Sequence, residues 1–268
     1  MGRDWSTILA KCLVGMFAVS AWIDISGVFV ELPLMVDVLP EGWRLPSIIT
    51  FINQIANIAT LAFFLFTRYS KRHVEIPVNF IIIFTGIASL TCMIFFWDHT
   101  TTIHGREYSV FFLLLIGLLS IVDCTSTLSF LAFISLYPET FVAPYFAGDG
   151  LSGLLPGVAA LIQGVGGDIQ CTNISLLNNT IMDNTTGYDI SHSTTLPLFP
   201  VETFLGFLIC MMCCSLAAYT LLNTLPSLLR LRVRNPKYSI LIQSWTRNLA
   251  VKRTTANLLK RRQWQHGD

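Results

Sequence analysis

Asp24, Glu31 and Asp123 are carboxylic acids set inside long apolar stretches of the chain, and Asp24 and Asp123 lie deepest in them. A charged side chain at the centre of a hydrocarbon layer costs at least about 2.5–3.5 kcal/mol, so such a group has to face a partner or a cavity, and each is by default a candidate for function. Glu31 follows Asp24 by seven residues, about two turns along the same face of an α-helix. It precedes Leu32-Pro33, where a helix is expected to kink or stop. Two further stripes stand out. Thr50, Asn53 and Asn57 recur at i, i+3 and i+7 with Gln54 beside them, and Ser120, Asp123 and Thr127 repeat the pattern later in the chain. Such stripes either hold helices together or line a water-filled path. Three helices with inward polar stripes, two of them carrying carboxylates, favour the path.

Other motifs lead to less specific chemistry. The run Gly148-Asp149-Gly150-Leu151-Ser152-Gly153 resembles a phosphate cradle, but it lacks the Lys-Ser/Thr of a Walker motif. Gly153 and Gly157 form a GxxxG pair that allows close helix approach, and Pro156 interrupts the helical ladder. The segment is either a tightly packed, kinked helix or a discontinuous helix of the kind carriers place at their binding sites. Six of the seven cysteines lie in apolar runs, and the CxxC at Cys210–Cys213 has no polar or histidine partner nearby, so packing is the expected role. All five histidines fall in loops or the tail, which leaves no intramembrane metal ligand set. HExxH and GxSxG are absent, so the chain does not read as an enzyme. A net charge of +1 gives no reason to expect a nucleic-acid partner.

The elements that must position these groups are membrane spans. Only 12% of the 268 residues are charged and 53% are hydrophobic, against roughly 25% charged residues in an average soluble domain. A span needs about 20 mostly apolar residues. Six stretches qualify, at about 8–30, 46–66, 76–97, 109–136, 142–165 and 201–225. The expected fold is therefore all-α, a six-helix polytopic bundle over 1–225 in a lipid bilayer. Ala18-Val19-Ser20-Ala21 is small and cleavage-like, but the apolar run continues through Val30, so the segment is expected to stay as a span. With the N-terminus cytoplasmic, fifteen of the seventeen Lys and Arg residues fall inside, and Arg44 and Arg106 outside. The loop 166–200 is then extracellular. It carries sequons at Asn173, Asn178 and Asn184, which are expected to be glycosylated. The basic tail 226–268 is expected in the cytoplasm, either as a disordered segment or, over 238–259, as an amphipathic helix on the inner leaflet.

A set of short motifs, in order, resembles the eukaryotic riboflavin transporters of the solute carrier class. They are Trp22-Ile-Asp-Ile-Ser-Gly-Val-Phe-Val-Glu-Leu-Pro-Leu34, Leu39-Pro-Glu-Gly-Trp43, Leu45-Pro-Ser47, Gln54-Ile-Ala-Asn-Ile58, Val122-Asp-Cys-Thr-Ser126, Tyr145-Phe-Ala-Gly-Asp-Gly-Leu-Ser-Gly-Leu-Leu-Pro156 and Leu161-Ile-Gln-Gly164. The resemblance runs through residues 12–166 and is weaker over the sixth span. It departs at Ser26, Phe29 and Asp149, where the family usually has Asn, Trp and Glu. It covers only the N-terminal half of a carrier of roughly eleven spans, each of about 20 residues.

The resemblance implies a plasma-membrane carrier that takes riboflavin into cells without ATP and without a cofactor. Riboflavin is a flat ring system with a polyol tail. Trp22 and Phe29 suit stacking on the ring, while Gln54, Asn57, Asp123 and Ser126 suit its imide edge and ribityl hydroxyls, with Glu31 at the extracellular mouth. Gln54, Asn57 and Asp123 are expected to converge in one water-accessible cavity. A site between two halves would be half built by this chain, so a missing C-terminal half or an oligomer partner is a further expectation. The alternative is a non-transporting short form or a receptor-type membrane protein.

Overall fold

The computed structural model describes residues 2–69, 75–103, 105–164, 197–229 and 231–232. Asn173, Asn178 and Asn184, and nearly all of the basic tail, lie outside the described residues.

Helices dominate because the apolar stretches satisfy every backbone polar group internally, as hydrocarbon requires. They are α1 (Gly2–Ala18), α2 (Ile23–Val36), α3 (Leu45–Tyr69), α4 (Glu75–Phe96), α5 (Val110–Ile134), α6 (Val142–Gln163), α7 (Val201–Thr224) and the single turn α8 (Pro226–Leu229). Five unbroken segments are long and apolar enough to cross a membrane: Gly42–Ala62, Ile76–Phe96, Val110–Ile134, Glu139–Gln163 and Val201–Thr224. They match the expected second to sixth spans within a few residues. The expected first span is covered by a bent pair, Trp5–Ala21 and Ile23–Val36, with 49° between its halves. Between α4 and α5 a small hairpin pairs β1 (Thr101–Ile103) with β2 (Arg106–Tyr108), antiparallel, with Ile103 opposite Arg106. Gly105 takes φ +77° at its tip, a conformation that favours glycine.

The first span differs from its expected form. A break was expected at Pro33, yet α2 passes through Pro33 to Val36. The ladder breaks eleven residues earlier, where Val19–Ala21 tighten into a 3₁₀ turn and Trp22 leaves the helical region at φ −141° and ψ 4°. Pro156 does not interrupt α6 either, which runs unbroken from Val142 to Gln163. The chain does have a discontinuous helix, but it is the first span.

In the bundle, α1 and α2 both pack against α6 and α7, α4 lies between α5 and α7, and α3 leans on α5 alone among its main contacts. α6 and α1 come close at Gly148, where a Cβ would stand 2.0 Å from the Gly15 carbonyl oxygen of α1. The GxxxG pair takes no part in this contact: nothing lies within 4 Å of a Cβ built on Gly153 or Gly157. Cys210 and Cys213 are exposed on α7, which corrects the expectation that they pack in the core.

At one end of the bundle, rings of three helices meet. Phe17 stands 4.3 Å from Phe130 and 4.8 Å from Tyr219, and Phe133 stands 4.9 Å from Tyr219. Arg232 closes this end. Its guanidinium donates to Asn223 Oδ1 at 2.7 Å, Tyr137 Oη at 3.2 Å and the Leu222 carbonyl at 3.3 Å, and lies 5.1 Å from the Phe133 ring centroid. Burial pushes the Tyr137 hydroxyl above its ordinary pKa, and Arg232 beside it offsets part of that rise.

Candidate functional site

The site grows from the break in the first span. Breaking a helix frees carbonyls that hydrocarbon cannot solvate, and hydroxyls meet them here. Ser20 Oγ and Ser215 Oγ of α7 each donate to the Phe17 carbonyl at 2.8 Å. Ser126 Oγ of α5 lies 3.0 Å from the Ala21 carbonyl and 2.7 Å from the Asp123 carbonyl, with one proton to share between them. Ser126 therefore fastens α5 to the break, a structural task the sequence did not suggest.

Directly after the break, Asp24 occupies the first turn of α2. Its side chain is wholly buried, and Oδ1 accepts the Ile25 N–H at 3.0 Å. Asp123, also wholly buried, lies against it from α5. Small neighbours make room: a Cβ on Gly86 of α4 would stand 3.4 Å from Asp24 Oδ2 and 2.6 Å from Met212 Cε.

Glu31 lies further along α2. It is buried, and its Oε1 accepts a hydrogen bond from Gln163 Nε2 at 2.8 Å. The same amide donates to the Phe199 carbonyl at 2.9 Å, so Gln163 joins the ends of α2, α6 and the segment leading into α7. Nearby on α7, Glu202 Oε1 accepts the Trp97 indole N–H at 2.9 Å. Glu31 was expected at an open mouth, but it is shut inside this junction. Gln163 could have been singled out as an amide at the end of an apolar run.

Most of the remaining residues face outward. Trp22 just before α2 and Ser26, Phe29 and Pro33 on it, spaced 4, 3 and 4 apart, form one open face; Trp22 is half-buried and Phe29 exposed. On α3, Ser47, Thr50, Gln54 and Asn57 form an exposed polar flank next to an exposed apolar flank of Phe51, Ile55, Ile58 and Leu65. Thr50 Oγ1 donates back to the Pro46 carbonyl at 2.8 Å, and Asn57 Nδ2 to the Asn53 carbonyl at 3.2 Å. Asn53 alone of the stripe turns inward, accepting from Cys124 Sγ at 3.4 Å. On α5, Ser120 and Asp123 are buried whereas Thr127 is exposed.

Gln54, Asn57 and Asp123 therefore do not converge in one cavity. Asp24, Asp123 and Ser126 form an interior cluster, Glu31 belongs to a separate junction, and Trp22, Phe29, Gln54 and Asn57 lie on open faces of two neighbouring helices. A groove of about 420 Å³ between α4 and α7, lined by Phe80, Ile81, Phe84, Thr85, Leu216 and Thr220, includes none of these residues. Among the described residues, no three His, Cys, Asp or Glu side chains come together to hold a metal ion.

Known proteins resemble the chain over most of its length. Residues 6–263 match the family described as solute carrier family 52, riboflavin transporter. Riboflavin transporter 2 of Salmo salar is 39% identical over 231 residues, 84% of this chain and 50% of that protein. Riboflavin transporter member 3-A of Danio rerio is 38% identical over 221 residues, 82% of this chain and 49% of its own. The human family member 2 is 33% identical over 213 residues, 79% of this chain and 45% of its own. The chain thus spans about half the length of the curated relatives it matches. No solved structure matches it. The relatives are carriers and not enzymes, and the chain belongs to the solute carrier family 52 of riboflavin transporters.

Proposed function

We propose that this chain contributes to carrier-mediated uptake of riboflavin at the plasma membrane, with both termini cytoplasmic and the loop 166–200 extracellular and glycosylated. One observation carries the reading beyond the family's name. On α3, the least buried of the five unbroken spans, the polar flank Thr50–Gln54–Asn57 is exposed alongside an apolar flank. Lipid suits the apolar flank, while the amides of Gln54 and Asn57 need water or a polar ligand beside them. Trp22 and Phe29 open on the neighbouring α2, and stacking on a flavin ring asks for such aromatics. These two faces are the riboflavin-contacting surface in this reading, and they would be completed by whatever covers them. Asp123 and Ser126 act from behind by holding the broken first span in place.

The test is direct binding. Riboflavin added to the purified protein in lipid nanodiscs should lose fluorescence on stacking, saturably, and Phe29→Ala or Asn57→Leu should weaken the titration by about tenfold or more, since 1.4 kcal/mol corresponds to one decade. A linear, unsaturable response that both variants share with the parent would contradict it.

A further inference from the structure

We propose that Asp24 and Asp123 hold one exchangeable proton between them at the break in the first span, and that this pair is a proton-binding site of the protein. That the proton is taken up and released during transport rests on the carrier reading above; that the pair holds it does not.

The argument starts from an excess of acceptors. Asp24 Oδ2 and both carboxyl oxygens of Asp123 are buried and have no hydrogen-bond partner. Among the described residues no Lys or Arg reaches either carboxyl group. The neighbours at Gly86 bring no side-chain donor: Gly86 on α4, Val122 on α5 and Met212 on α7 border Asp24 Oδ2 or the space beside it. Among the described residues, Cys124 next to it on α5 is the one further titratable group beside Asp123. Three stranded acceptors where α2 meets α5 call for a donor, and two carboxylates in one dry site repel each other unless one is neutralised. A single proton meets both needs, converting one carboxylate into an O–H donor aimed at the other.

The surroundings also say where it sits. Asp24 lies in the first turn of α2, where the helix dipole favours negative charge, and the Ile25 N–H already bonds its Oδ1. Asp123 lies mid-helix in α5 without any donor. Asp24 is therefore the carboxylate and Asp123 the acid, with the Asp123 O–H donating to Asp24. The pair straddles a joint: Asp24 rides on the second half of the bent span and Asp123 on a continuous helix. A change in the 49° bend separates the two oxygens and leaves the proton without its acceptor. Proton occupancy and helix geometry are thereby linked.

Infrared spectroscopy of the purified full chain in nanodiscs tests the pair without reference to transport. The expected result is a deuterium-sensitive C=O stretch of a protonated carboxyl at neutral pH, abolished by Asp123→Asn, shifted by Asp24→Asn and retained in Asp123→Glu. Glu31→Gln, the control for the other buried acid, should leave that component in place. Absence of the band in the parent protein, or its survival unchanged in Asp123→Asn, overturns the proposal. Labelled riboflavin uptake across a series of external pH values supplies the second arm: the pH response of the parent should be flat in Asp123→Asn. A band that behaves as stated in a protein that takes up no riboflavin upholds the proton site and removes the carrier reading. A pH response of uptake identical in parent and Asp123→Asn overturns the pair's part in transport.

Discussion

Gln163, the last residue of α6, gives one amide hydrogen to Glu31 Oε1 on α2 over 2.8 Å and another to the Phe199 carbonyl over 2.9 Å. A single side chain thus joins three segments that are far apart in sequence. Leaving the Glu31 carboxyl without its amide costs about 1–3 kcal/mol. Gln163→Leu should therefore lower the unfolding temperature of the detergent-solubilised protein, while Gln163→Asn, which is too short to reach both acceptors, should lower it less. A thermal unfolding curve unchanged by Gln163→Leu would show that this junction does not hold the helices together.

Two glycines on one helix should respond oppositely to the same change. A Cβ on Gly148 would collide with the Gly15 backbone, whereas one on Gly153 meets nothing. Gly148→Leu should abolish accumulation of folded protein, and Gly153→Leu should leave folding within about 0.5 kcal/mol, as expected of an unpacked position. Size-exclusion profiles of fluorescently tagged variants distinguish the two. If Gly153→Leu also fails, its open face is covered in the assembled protein.

Arg232 fastens the end of the bundle through three hydrogen bonds and the face of Phe133. Hydrogen bonds to a charged group are worth about 1.5–3 kcal/mol each at most. Arg232→Ala should lower stability by about 2 kcal/mol, and Arg232→Lys, which keeps the charge but loses the planar fork, should recover only part of it. Chemical or thermal unfolding of the three proteins checks the order.

The loop 166–200 should carry glycans on at least one of Asn173, Asn178 and Asn184, with both termini cytoplasmic. Glycosidase treatment of protein from mammalian cells should increase its electrophoretic mobility, and the triple Asn→Gln variant should show no such change. No shift in the parent protein would reverse the assigned orientation.

The spans were legible because a run of about 20 apolar residues has few alternative fates, and the family because its motifs keep their order from Trp22 to Gly164. The break at Trp22 was not legible. Proline is the local signal for a kink, yet Pro33 lies on the exposed side of α2 and Pro156 within a continuous α6. What permits the break is hydroxyls from distant positions, Ser126 and Ser215, that donate to the freed carbonyls. Spacing along one helix could not show that. Nor could it show that Asn53 turns toward α5 while Gln54 and Asn57 turn away, since the side of α3 that packs is chosen by Ile49, Ile52 and Ala56. Asp24 and Asp123 were recognised separately as costly groups; their pairing depends on how α2 meets α5.

Uptake of labelled riboflavin by cells expressing this chain, compared with the Gln54→Leu/Asn57→Leu double variant at equal surface abundance, tests the central claim most directly. The polar flank of α3 as a riboflavin-contacting surface predicts saturable uptake above that of untransfected cells, reduced by about tenfold or more in the double variant, or at least 1.4 kcal/mol of lost interaction. Uptake that is saturable and equal in the two proteins would contradict it, as would a chain that reaches the surface and takes up no riboflavin.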